Sequence, residues 1–347
     1  MAVSILKKPK PLLALAALSL TLGGIASARP WTNTDGKTIE AEYISHNASE
    51  VVFSLNGNPV NYPLEKLAEP DREYLNGLVA SPTPAATGPT GAQYSLKFSA
   101  FSTYLFPKET DYYLDPLRKS VLTAYEAGTA GEPAGKADAW TKRNPADSFQ
   151  LYVPTAYDGK QSYGLLLIIN AVDPGGVPEE WRPMLDELKL IAVCAENIGN
   201  SQPMMRRVQL SMDALANTEK QYRINPTRRF VTGMLGGGNA AMLTAAMYPG
   251  YFAGALAIGA EIKPPTDGTA ANFPGLTAPD FQGSERRHVR WAVLSGSSDR
   301  NYAKITEAGK AWETAGLPFK VVDISDVALP PTATQMKQAV TWLETGK

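Results

Sequence analysis

Residue types able to do chemistry are sparse in this chain. It holds two histidines, His46 and His288, and one cysteine, Cys194, among 347 residues. So few histidines argue against a multi-histidine zinc site, and a single cysteine excludes a Cys-x-x-Cys motif or an internal disulfide. Any mechanism that needs a histidine base must use His46 or His288. Cys194 sits inside an apolar run, where cysteine packs as a small hydrophobe. The acids Asp173, Glu196, Glu261, Asp299 and Asp326 each fall just after a different predicted strand, with Asn170, Asn197 and Asn239 nearby. Such oxygen donors suit a hard cation such as Ca²⁺, or a cationic or polyhydroxylated ligand. Asp173, Glu196 and Glu261 are the candidate metal ligands, and no cofactor is otherwise expected. The amides of Gly236-Gly237-Gly238, at a predicted helix start, form a candidate anion site.

These residues must be positioned by elements that the apolar pattern reveals. From residue 94 onward, apolar strands alternate with helices. The predicted strands are Phe149–Val153, Leu165–Ile169, Leu190–Ala195, Arg229–Thr232, Ala255–Ile258, Val289–Leu294 and Phe319–Ile324. The predicted helices are Glu179–Leu188, Met204–Tyr222, Gly238–Met247, Ala303–Ala315 and Ala333–Leu343, with a further one over Pro116–Gly128. Near-continuous Val, Ile and Leu runs fit strands buried on both faces. The alternation implies an α/β fold with a doubly wound, mostly parallel sheet. In such sheets ligands bind beyond the carboxyl ends of the strands, so a small ligand is expected there.

The rest of the chain is organised differently. Residues 1–28 read as a secretory signal peptide: Lys7, Lys8 and Lys10, then an apolar run from Leu12 to Ile25, then Ala26-Ser27-Ala28. The mature chain is expected to start at Arg29 and to be periplasmic or extracellular. The apolar run is too short and glycine-broken for a stable membrane span. Residues 29–79 show strand alternation, an Asn56-Gly57 turn and a short closing helix, the pattern of a small all-β barrel. Residues 80–93, rich in proline, glycine and threonine, read as a linker. Net charge is -1, and no basic stretch exceeds Lys7-Lys8-Pro9-Lys10, so nucleic acid is not an expected partner.

Two resemblances add to this reading. Trp31-Thr32, Asp35-Gly36-Lys37, Ile39-Glu40-Ala41-Glu42-Tyr43, Tyr62-Pro63-Leu64-Glu65-Lys66-Leu67 and Asp71-Arg72-Glu73-Tyr74-Leu75 resemble the first type of Sla homology domain. That resemblance implies an SH3-like barrel that binds an unidentified protein or peptide. Over residues 145–345 the chain resembles the α/β-hydrolase fold, and within it secreted polyester depolymerases and feruloyl esterases. The residues that carry this are Leu151-Tyr152-Val153-Pro154, Phe230 to Gly238, Tyr248-Pro249-Gly250-Tyr251-Phe252-Ala253-Gly254, Leu294 to Asp299, and Leu329-Pro330.

The resemblance implies a triad that this chain does not complete. The Gly-x-Ser-x-Gly elbow reads Gly233-Met234-Leu235-Gly236-Gly237, with Leu235 in the nucleophile position. The histidine position aligns with Val327, and only the acid position, Asp299, is kept. His288 precedes a strand and stands at the wrong end of the sheet, ~23 Å from the catalytic edge at ~3.3 Å per residue. His46 belongs to the small module. In the oxyanion segment Asn170 to Gly176, Pro174 lacks a donor and Asp173 would repel a developing oxyanion. Three readings follow. One is an exported pseudoenzyme that binds a ligand or partner. Another is an active carboxylic ester hydrolase with a non-standard nucleophile. The third is an envelope interaction protein whose barrel does the work.

Overall fold

The computed structural model describes residues 29–46, 50–55, 58–80, 88–98, 116–135, 140, 144, 146–265, 272–282, 289–317, 319–324 and 329–347. Residues 1–28, expected as a leader, Asn56 and Gly57, expected as a turn, and His288, Asp326 and Val327 lie outside the described residues.

The small module is a four-stranded antiparallel sheet in the order β1 (Arg29–Thr32), β2 (Thr38–His46), β3 (Glu50–Leu55) and β4 (Asn58–Pro63). A 3-10 turn (Leu64–Lys66) and helix α1 (Glu69–Ala80) follow. Trp31, Ala41, Val51, Phe53, Leu67 and Leu75 form its own core. Trp31 is 1% exposed, and its indole N–H donates to the Ala41 carbonyl at 2.9 Å, which satisfies the one polar atom the ring buries. Arg29 closes the sheet onto α1. Its guanidinium lies over the rings of Trp31 and Tyr74, at 4.3 and 3.8 Å, and pairs with Asp71 at 2.6 Å.

The large module is an eight-stranded sheet in the order β12-β11-β10-β9-β7-β8-β6-β5. The strands are β5 (Gly91–Leu96), β6 (Phe149–Val153), β7 (Tyr163–Ile169), β8 (Leu190–Ala195), β9 (Ile224–Met234), β10 (Gly254–Ile258), β11 (Arg290–Ser295) and β12 (Phe319–Asp323). From β8 through β12 all pairings are parallel, while β6 is antiparallel to both β5 and β8. Every residue of β7, β8 and β10 is buried, as both-face coverage requires. The flanking helices are α2 (Pro116–Glu126), α3 (Arg182–Glu187), α4 (Met204–Gln221), α5 (Gly236–Met247), α6 (Ala278–Gln282), α7 (Tyr302–Thr314) and α8 (Ala333–Thr345). A large, mostly parallel sheet with flanking helices is in keeping with the α/β-hydrolase fold expected from the sequence.

One boundary differs. Residues 91–93, expected in the linker, begin β5, and Gly91 pairs with Val153 in register. β5 is a half-exposed edge strand with a bulge between Gln93 and Leu96, so it shows neither clean alternation nor an apolar run.

The segment after β5 also acquires a role. Helix α4 starts after Pro203, which offers no side-chain cap. Both oxygens of Glu132 accept the Met204 amide at 3.1 Å, so a distant carboxylate caps the helix and meets the positive end of its dipole.

Candidate functional site

Strand β9 runs down the middle of the sheet and turns at once into α5, with Leu235 between them at φ 51, ψ -121. A side chain that bears a Cβ rarely takes this conformation, which costs about 1–3 kcal/mol. The turn is pinned on both sides: the Leu235 amide donates to the Ile258 carbonyl at 2.9 Å, and the Gly238 amide donates to the Leu235 carbonyl at 2.9 Å. The flanking glycines are demanded by contact. A Cβ on Gly233 would stand 2.3 Å from the Gly237 oxygen, and one on Gly237 would stand 1.9 Å from the Ile169 oxygen. The sharp turn therefore persists with a leucine at its tip, 36% exposed.

Leu235 and two further positions converge on Gly259, whose φ is 62. A Cβ at Gly259 would meet Asp299 Oδ2 at 3.3 Å, Leu329 Cδ2 at 3.6 Å and Leu235 Cδ2 at 3.7 Å. Asp299 is held by its own loop. Its Oδ2 accepts the Ser295 hydroxyl at 2.9 Å, and its Oδ1 accepts the Asn301 amide at 2.8 Å. Those bonds give the carboxylate a structural task that needs no histidine. Leu329 is 48% exposed and precedes the capping box, Thr332 with Gln335, that starts α8.

His46 and Cys194 lie on other strands than this cluster. His46 ends β2 in the small sheet, paired in register with Val51. Cys194 is fully buried in β8, and its thiol donates to Asn170 Oδ1 at 2.9 Å. Burial pushes the Cys194 thiol well above its ordinary range. Cys194 should therefore resist a disulfide reagent in the native protein and release one thiol per chain in denaturant. Fast native-state reaction would contradict this burial.

The metal candidates Asp173, Glu196 and Glu261 each have other partners among the described residues. Asp173 accepts the Gly199 amide at 2.7 Å and the Ser201 hydroxyl at 2.9 Å. Glu196 accepts the Ser95 amide at 3.1 Å and the Ser148 hydroxyl. Glu261 pairs with Lys263 at 3.2 Å. Asp173 thus ties its segment to the one after β8, Glu196 ties its segment to β5 and to the start of β6, and Glu261 pairs within its own loop; among the described residues no three His, Cys, Asp or Glu side chains gather to hold a metal. Strand spacing separates Glu261, which follows β10: that strand lies two from β7, so its loop starts ~9 Å or more from the Asp173 loop. Asp173 and Glu196 follow neighbouring strands, and their oxygens are taken up by the amides and hydroxyls they accept from.

Two residues at this edge escaped the sequence reading. Arg207, 3% exposed, donates to three carbonyls on three separate segments: Ile198 after β8 at 2.9 Å, Gly236 at the start of α5 at 3.1 Å and Asn170 after β7 at 3.0 Å. It thereby ties the elbow to the segments after β7 and β8. Burial lowers its pKa, and the charges of Glu132 and Asp173 oppose that shift. The sequence did carry a signal: Arg206-Arg207 open a helix, where the dipole disfavours cations unless they have dedicated partners. Asn200 is the second. Its side-chain oxygen lies 2.3 Å from where a Cβ on Gly236 would be, so it covers the first residue of α5.

Comparison with solved structures finds distant likenesses. A ferulic acid esterase is 18% identical, with 57% of this chain and 91% of that chain covered and a TM-score of 0.44. An S-formylglutathione hydrolase (FrmB) from Staphylococcus aureus is 12% identical over 57% of this chain and 93% of that one, with a TM-score of 0.46. One from Agrobacterium tumefaciens is 15% identical over 57% and 89%, with a TM-score of 0.41. No family model and no curated protein matches the chain. Among the described residues no helix is long and apolar enough to cross a membrane.

Proposed function

We propose that this protein is an exported, non-catalytic member of the hydrolase-like folds, which uses the carboxyl edge of its large sheet to bind rather than to cleave. The observation that carries this reading is Leu235 at the tip of the elbow. Its side chain has no atom able to attack a carbonyl carbon. Asp299, without an imidazole to orient, cannot serve as the base. Cys194, fully buried, offers no route to a substitute nucleophile. The elbow glycines and Asp299 are retained for packing and loop geometry, which explains them without catalysis.

The small antiparallel module supplies a second binding element in this proposal. Its SH3-like character and its similarity to Sla homology domains support a protein or peptide partner there. The leader pattern at residues 1–28 supports export to the periplasm or beyond. The purified chain should not hydrolyse p-nitrophenyl acetate above buffer, and a fluorophosphonate probe should leave it unlabelled. Stoichiometric labelling that disappears on replacement of a single serine would establish an active hydrolase instead.

A further inference from the structure

The family resemblance places the missing base at Val327, but the residue that shares the Gly259 corner with Leu235 and Asp299 is Leu329. Its Cδ2 and Leu235 Cδ2 both lie within van der Waals range of one point, a Cβ built on Gly259, and Asp299 Oδ2 lies 3.3 Å from that same point. A base that serves the elbow must stand between the acid and the tip of the turn, within hydrogen-bond reach of each. Given the proposed loss of catalysis, on which this inference rests, we propose that the Leu329 side chain fills the place a base would occupy. An apolar pair, Leu235 and Leu329, then stands where a nucleophile–base pair would be, with Asp299 still anchored alongside by Ser295 and Asn301.

The placement is chemically specific. An imidazole at position 329 would meet Asp299 Oδ2 on one side and a hydroxyl at position 235 on the other. Such a hydroxyl would attack the phosphorus of a fluorophosphonate, the P–F bond would break, fluoride would leave, and the serine proton would pass to the imidazole.

Labelling rates in three full-length variants test this. Leu235→Ser alone gives the reference rate. Leu235→Ser with Leu329→His should label about a hundredfold faster, the contribution typical of a positioned base. Its rate should rise with pH through the histidine range, a dependence the reference variant lacks. Leu235→Ser with Val327→His should stay near the reference. No gain from Leu329→His in a folded variant overturns the proposal, as does a larger gain from Val327→His. If the histidine variant does not fold, Leu235→Ser with Leu329→Gly replaces it. Saturable acceleration by added imidazole then supports the proposal, and none overturns it. A labelled wild-type chain would instead defeat the non-catalytic reading itself, so the two failures are distinct.

Discussion

Replacing Arg207 with methionine is expected to cost about 3 kcal/mol or more of folding stability. The residue is 3% exposed, and its guanidinium satisfies carbonyls of Ile198, Gly236 and Asn170. Methionine keeps much of the volume but donates nothing. Each buried carbonyl left without a partner costs about 1–3 kcal/mol. Arg207→Lys should lie between the two, because one ammonium cannot span the directions a planar fork reaches. Urea unfolding followed by fluorescence of the buried Trp181, Trp291 and Trp312 reads the change. A loss below about 1 kcal/mol for the methionine variant would mean that the three segments hold their positions without the brace.

Gly237→Ala should be comparably severe, for a steric reason. The added Cβ would stand 1.9 Å from the Ile169 carbonyl oxygen, which is backbone of β7 in the middle of the sheet. No flexible side chain is available to yield, so the turn must open or the strand must shift. A loss of about 3 kcal/mol is expected, at the upper end of overpacking costs. Gly316→Ala is the control. Its φ is 68, but nothing lies within 4 Å of its Cβ, so only the backbone preference is lost, at about 1 kcal/mol. Equal effects at the two sites would show that contact with Ile169 does not set the requirement for glycine.

The elements around the site were largely legible. The run Leu190–Ala195 is a strand with the predicted bounds, because six consecutive apolar residues suit a strand buried on both faces. Met204–Gln221 follows the predicted helix to within one residue. Gly236–Met247 starts two residues before its predicted helix, because the elbow glycines belong to the helix rather than to the turn before it. Strand β5 was hidden because an edge strand needs little apolar pattern to pair. The acids were legible as a set but misleading as a site, since order along the chain does not say which loops meet.

Composition and pattern alone determined that this chain builds an alternating α/β sheet, that glycines flank Leu235 between a strand and a helix, and that histidine is scarce. These follow from residue identity and from periodicities of 2 and 3.6, which are local properties of the chain. Tertiary structure decided the rest: that Leu329 and Asp299 lie with Leu235 around Gly259, that Arg207 ties the segments after β7 and β8 to the start of α5, and that Asp173, Glu196 and Glu261 each bond other partners. Those facts depend on which strands lie side by side, β7 between β8 and β9 and β10 beside β9. Strand adjacency is set by packing between segments distant in sequence, and no local pattern encodes it.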